Sequence, residues 1–178
     1  MKMIKITGDS FLDEIKSLYE RAFPPSEKKP FALILKKRDT GEMEIYSIVG
    51  DSGEFLGLAI FILHGRIALL DYFAIDDSVR GKGIGSTALS KIKELFPEKV
   101  LLLEIEDPEE KGADNTPERM RRERFYTSRG MSVMPYKIML FGVKMLVLTF
   151  DGEVDFPEYH NIFVDVFGEK SAQNVMRA

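Results

Sequence analysis

The chain has 178 residues, 44% hydrophobic and 30% charged, with a formal net charge of -4, which fits one globular domain able to bury a substantial core and gives no electrostatic footprint for nucleic acid. It contains no cysteine, so a disulfide scaffold, a cysteine nucleophile and a thiolate metal site are excluded. Its two histidines, His64 and His160, are far apart in sequence and do not suggest a metal cluster.

Residues 2–7 alternate as a first strand. Asp9 or Ser10 is placed to cap a helix over 11–23, where Leu12, Ile15, Leu18, Tyr19 and Ala22 keep helical spacing. Pro24-Pro25 stops it. A second short helix follows Pro30 over 31–37, with Gly41 at its end. Strands 44–50 and 55–63 form a hairpin around Asp51-Ser52-Gly53. His64-Gly65-Arg66 turns the chain into a strongly apolar strand, 67–75, interrupted by Asp71. A Gly-rich segment opens a helix over 83–96, ended by Pro97. Residues 100–105 read as a buried strand and 107–116 as a polar loop whose length suits closure over a substrate. Pro117, behind a Thr116 cap, opens a basic helix that runs to Arg129 and ends at Gly130. Segments 131–134 and 141–150 are the last strands. The second of these, with Met139 and Met145 nearby, reads as either a dimer edge or core, leaving both monomer and homodimer open. A helix over 155–167 precedes a tail to Ala178 that is expected to fray.

The order βααβββαβαββα describes one mixed α/β domain over 1–178 with its core in 1–150. Hairpins dominate the first half, and a right-handed crossover passes through the Gly-rich helix. The start of the chain has no long apolar region, and no run approaches the ~18 residues of a membrane span. The expected location is the cytoplasm.

The chemistry concentrates in residues 73–86, where a strand ends and glycines at 81, 83 and 85 open a helix. Glycine permits a tight turn and close approach of a ligand to the backbone. The first helical N–H groups and the helix dipole favour an anion there, and Arg80 and Lys82 add positive charge. The segment reads as a pyrophosphate cradle. It lacks the G-x-x-x-x-G-K-[ST] ending of a P-loop. It also differs from the dinucleotide fingerprint G-x-G-x-x-G, although Glu104 lies where a ribose-binding acid would sit.

The run Arg80-Gly81-Lys82-Gly83-Ile84-Gly85 resembles motif A of the GNAT N-acetyltransferase superfamily, R/Q-x-x-G-x-G/A after a strand. Arg124-Phe125-Tyr126-Thr127-Ser128-Arg129-Gly130-Met131 resembles the family's second signature, an aromatic-Tyr-x-x-x-Gly-hydrophobe run, and the element order matches over residues 1–150. The resemblance implies a central mixed, mostly antiparallel, twisted sheet flanked by helices on both faces, with a splayed-strand cofactor cleft. It implies transfer of the acetyl group of acetyl-CoA to a primary amine, small-molecule or peptide, in a ternary complex without a metal. Backbone amides of Arg80, Gly81, Lys82, Gly83, Ile84, Gly85 and Ser86 would hold the pyrophosphate. Phe73, Ala74 and Ile75 would pair with the pantetheine arm, an amide near Ile75 would polarise the acetyl carbonyl, and a bulge there would splay this strand from the next. Many members carry an Asn seven residues before the signature tyrosine; here that position is Arg119, with Asn115 four residues earlier. The rival readings are a non-turning acyl-CoA sensor and a dinucleotide-binding oxidoreductase.

An ammonium has no lone pair, so the acceptor must lose a proton before attack, and the leaving thiolate benefits from a donor. Tyr126 is the acid by resemblance. Glu104 ends an otherwise apolar strand, and Asp71 interrupts another. Both are candidate bases, or partners of Arg121, Arg122 or Arg124. Strand alternation puts Leu69, Asp71 and Phe73 on one face. Glu27 and Phe31, around the connection between the first two helices, are candidates for the acceptor site. The cluster Arg119, Arg121, Arg122 and Arg124 is expected to pair with Glu118, Glu123 and the acids of 107–110 rather than bind nucleic acid. Tyr136, Tyr159 and His160 carry no signal.

Overall fold

A computed structural model describes residues 1–178 and falls into two compact units, Met1–Glu98 and Lys99–Ala178. The first contains β1 (Lys2–Lys5), α1 (Leu12–Ala22), α2 (Phe31–Asp39), β2 (Met43–Val49), β3 (Phe55–His64), β4 (Ile67–Ile75) and α3 (Ile84–Leu95). Its four strands pair antiparallel in sequence order. Helix α1 buries Ile15, Leu18 and Tyr19, the predicted stripe. Neither Asp9 nor Ser10 caps it. The helix starts from Phe11 in the left-handed region, φ 59, with no side-chain cap; the Phe11 ring stacks on Phe55 at 6.2 Å.

The pleat of β4 divides its residues between two faces. Phe73 and Ile75 pack with Val79 and Ile84 against a core of Ile48, Leu56 and Ala88 beneath α3. Tyr72 points the other way, to Tyr19 at 4.8 Å and Phe23 at 4.9 Å. The strand register skips Asp71, because Ile60 faces Tyr72 while Phe61 faces Leu70. On its β3 side the bulge in β4 therefore lies at Asp71, and residues 73–75 pair continuously with β3. A bulge re-aims side chains and interrupts alternation. Asp71 consequently leaves the face of Phe73 and reaches the α1–α2 connection beside Tyr72. Gly57 stands opposite Ile75, where a Cβ would run into the Ala74 carbonyl and come within 3.1 Å of the Ile75 Cα. A larger residue could not let β3 lie so close to the end of β4.

The second unit contains β5 (Val100–Glu106), α4 (Thr116–Thr127), β6 (Ser132–Leu140), β7 (Val143–Thr149), α5 (Phe156–Phe167), α6 (Glu169–Ala172) and β8 (Val175–Arg177). Strand β7 pairs antiparallel with both β5 and β6, and β6 also pairs with β8. With partners on both sides, β7 is interior, not the dimer edge considered from its sequence. Strand β6 is longer than the predicted 131–134 because its register with β7 slips between Val133 and Lys137. Pro135, which cannot donate to a ladder, falls inside that slip. Phe141 and Gly142, with φ of 47 and 86, close the β6–β7 hairpin. The tail does not fray: Val175, Met176 and Arg177 pair with Leu140, Met139 and Ile138.

The 107–116 loop is pinned. Asp107 is fully buried and accepts from Lys137 Nζ at 2.9 Å and from the Glu109 N–H at 3.0 Å. Arg119 donates to the Asp107 carbonyl at 3.0 Å and to Glu110 at 2.6 Å. These bonds oppose the closing motion suggested by the loop's length. No helix is long and apolar enough to cross a membrane.

Candidate functional site

The candidate polyphosphate cradle consists of a turn and a helix start. Asp76 caps the short turn Asp77–Val79 by accepting from the Ser78 N–H at 3.0 Å and its hydroxyl at 2.6 Å. The Ser78 hydroxyl and amide, aided by Arg21 at 2.9 Å, hold the Asp76 carboxyl below its ordinary range. Arg80 donates from Nε to the Ile75 carbonyl at 3.1 Å and pairs with Asp77 at 2.6 Å. The neighbouring acids are thus both neutralised. Gly81 and Gly83 have φ of 77 and 78, with open space where a Cβ would lie. Gly83 is the N-cap of α3 and brings no capping side chain.

The Arg80 amide bonds Asp77 and the Ser86 amide bonds Gly83, but the five amides of residues 81–85 have no acceptor. A row of free amides at a helix N-terminus, beside exposed Lys82, fits a pyrophosphate. Of the residues 80–86 expected to form the cradle, the central five have unbonded amides.

The α1–α2 connection is fastened to β4. Both Asp71 oxygens accept from Lys29 Nζ, at 2.7 and 2.9 Å. The Tyr72 hydroxyl donates to the Glu27 carbonyl at 2.8 Å and accepts from the Lys29 N–H at 3.0 Å. Tyr19 donates to the Lys29 carbonyl at 2.7 Å. Burial pushes the Tyr19 phenol up to about 12 and the Tyr72 phenol higher still, with Asp71 acting in the same direction. Both therefore stay neutral hydrogen-bonding groups. Asp71 is committed to an ion pair, which makes it a poor acceptor for an amine's proton; its partner is Lys29, not an arginine of the basic helix. Phe31 is buried against Tyr19 at 5.5 Å and belongs to the core. Glu27 is half-buried and joins this fastening through its carbonyl. Lys29, Tyr19 and Tyr72 are contributors that sequence reasoning missed.

In the second unit Glu104 is half-buried near the end of β5 and accepts from the Tyr159 hydroxyl at 2.6 Å. Tyr126, on the last turn of α4, is buried with its ring edge-on to Phe125 at 5.0 Å. Burial pushes its phenol up to about 12, opposed by Arg122. Arg119 stands where many relatives have Asn, but it is bound to Glu106 at 2.9 Å and donates to Asn115 at 2.7 Å. Asn115 donates to both Glu106 oxygens at 3.2 Å. Arg122 also pairs with Glu106 at 2.9 Å, and Arg121 with Glu118 at 2.7 Å. Arg119 and Arg122 thus serve an internal ion-pair network centred on Glu106, which the sequence had not singled out. No group of three or more His, Asp or Glu is arranged to hold a metal ion.

The chain is α/β, with a row of unbonded amides at the start of the helix after its fourth strand. The chain belongs to the acetyltransferase (GNAT) family, whose profile matches residues 12–128, more than half of the chain. No curated protein matches it in sequence. The fold is similar to that of a GNAT-family protein from Bacteroides thetaiotaomicron, at 20% identity and a TM-score of 0.76 over 94% of this chain and 99% of that one. It is also similar to spermidine N-acetyltransferase from Vibrio cholerae, solved with CoA and spermine, at 13% identity and a TM-score of 0.65 over 83% of this chain and 93% of that one. An aminoglycoside 6'-N-acetyltransferase complexed with coenzyme A shares 13% identity, with a TM-score of 0.62 over 87% of this chain and all of that one. The family match sets aside the dinucleotide-binding alternative.

Proposed function

We propose that this acetyltransferase moves the acetyl group of acetyl-CoA directly to a primary amine in a ternary complex. The observation that carries the reading is the run of five unbonded amides at residues 81–85 within a chain of the GNAT family. Two neighbours of the same fold act on amines, as their names state, and both were solved with the coenzyme. Acetyl-CoA supplies the acetyl group as an activated thioester. The amides of 81–85, with Lys82, bind its pyrophosphate, and the 73–75 end of β4 pairs with the pantetheine arm, as the resemblance implies.

Glu104 takes the acceptor's proton, directly or through a water. It takes precedence over Asp71, whose two oxygens are already bound by Lys29. Tyr126 assists the leaving sulfur. Its phenol, at about 12, is a much weaker acid than a thiol of about 8.5, so it acts as a hydrogen-bond donor and retains its proton. The proton released from nitrogen neutralises the thiolate. The test is release of coenzyme A thiol across a panel of primary amines. Amine-dependent release supports the reading. Acetyl-CoA binding without release for any amine would instead mark a non-turning sensor.

A further inference from the structure

One cluster of the second unit is used by neither the cradle nor the leaving-group chemistry. Glu104 faces Val147 across the β5–β7 ladder. On the other side of β7, Val133 faces Leu148 and Lys137 faces Leu146, which leaves residues 134–136 opposite Val147. Tyr136 and Glu104 therefore flank the same point of β7, with backbones about 10 Å apart at the usual strand spacing. Tyr159, from α5, joins them: its hydroxyl bonds Glu104, and its ring lies 6.5 Å from that of Tyr136. Phe156, one turn earlier on α5, is 6.2 Å from Tyr136 and 6.5 Å from Tyr159. Glu104 and Phe156 are each partly open to solvent, whereas Tyr159 is fully buried.

The Tyr136 hydroxyl is the unexplained group. The residue is 8% exposed, and the hydroxyl is buried without a hydrogen-bond partner. An unsatisfied buried hydroxyl carries a desolvation penalty of about 1–3 kcal/mol, which a ligand could relieve. The local field is negative: burial pushes the phenol above its ordinary value, Glu104, Asp155 and Glu158 push it the same way, and Arg177 opposes them. A carboxylate ringed by aromatic faces in a negative field selects an organic cation.

We propose that Glu104, Tyr136, Tyr159 and Phe156 form the ammonium-binding end of the acceptor site. A protonated alkylamine sits with its nitrogen at Glu104, its methylenes lie against Phe156, and the Tyr136 hydroxyl accepts one of its N–H bonds. Tyr159 is the positioning residue that aims Glu104. The inference rests on the amine-acceptor reading above but is tested by binding rather than by turnover.

The test follows tyrosine ring resonances of the full chain by NMR during titration with n-butylamine hydrochloride at pH 7, with 1-butanol as the neutral isostere. The expected result is saturable binding of the amine, at least tenfold weaker binding of the alcohol, and about tenfold weaker amine binding by a folded Tyr136→Phe variant. No saturable amine binding by the parent, equal binding of the alcohol, or an unchanged affinity in Tyr136→Phe overturns the proposal. A Tyr159→Phe variant separates positioning from packing. It is expected to raise the KM of whichever amine turns over while leaving the KM of acetyl-CoA unchanged; equal shifts in both would reveal a merely structural effect. Amine binding without thiol release with any amine would sink the transferase reading and leave this site standing.

Discussion

Replacing Lys29 by Met removes the partner of a carboxylate that is only 7% exposed, while the lysine itself is 18% exposed. Breaking a fully buried pair from one side costs about 3–5 kcal/mol, because the remaining charge is stranded. Residual access of solvent to this pair places the expected loss near the lower end, about 3 kcal/mol, or roughly 6–12 °C in melting temperature for a chain of this size. Asp71→Asn should cost less, about 1–2 kcal/mol, because the Lys29 side chain is long enough to find water. The double variant Lys29→Met with Asp71→Leu should recover most of the loss, since replacing both charges by apolar groups removes the desolvation penalty along with the attraction. Urea unfolding at pH 7 of the parent, the two single variants, the double variant and Asp71→Leu alone measures all of these quantities. A loss below about 0.5 kcal/mol for Lys29→Met, or strictly additive losses in the double variant, would refute the assignment of Asp71 as a structural ion-pair partner. The same variants serve a rate assay: Asp71→Asn should retain kcat within a few fold, whereas Glu104→Gln should lose about a hundredfold or more, as expected for a base.

Tyr126→Phe should lower kcat about 10- to 100-fold with the KM of acetyl-CoA unchanged, as expected for loss of a donor acting on the leaving sulfur. The melting temperature should barely move, because the aromatic ring is retained. An unchanged kcat would return Tyr126 to a packing role. Asp107 carries a prediction about pH. Burial acts to raise its carboxyl, but the Lys137 hydrogen bond and the Glu109 N–H overcome this and hold it below its ordinary value. A depressed folded value contributes stability that is present above the unfolded value of about 3.9 and is lost as pH falls through the folded one. Asp107→Asn should therefore be destabilised most above about pH 5, with the gap to the parent closing below pH 4; a gap that widens toward acid would contradict this assignment.

Periodicity made the main elements legible, because each helix or strand buries one apolar face. The stripe of Ile15, Leu18 and Tyr19 and the run of β4 appear where spacing placed them. The glycine-rich turn that opens α3 was equally legible, since glycines at alternate positions mark a tight turn. What escaped was set by single irregularities. The bulge at Asp71 reversed the alternation that had put Asp71 with Phe73, and no local pattern marks a bulge in an apolar strand. The expected strand 131–134 stops short of Pro135, whereas the ladder slips there and β6 runs on to Leu140. Phe141 occupies a left-handed turn position at φ 47, where asparagine or glycine would have signalled the hairpin. Lys29, Tyr72, Tyr136 and Tyr159 looked ordinary because Asp71, Glu27, Phe156 and Glu104, the partners that define them, lie 20 to 55 positions away, and only tertiary structure supplies those contacts.

Binding of acetyl-CoA, measured by calorimetry on the parent, on Gly83→Glu and on Gly53→Glu, tests the cradle most directly. Gly53 and Gly83 have φ of 88 and 78, and neither would crowd a Cβ. Both substitutions therefore impose a similar left-handed strain of about 1–2 kcal/mol, but only Gly83→Glu brings a carboxylate to the free amides. The parent and Gly53→Glu should bind alike, and Gly83→Glu should bind at least tenfold more weakly. Failure of the folded parent to bind acetyl-CoA, or equal binding by both variants, would contradict the assignment of residues 81–85 as the pyrophosphate cradle.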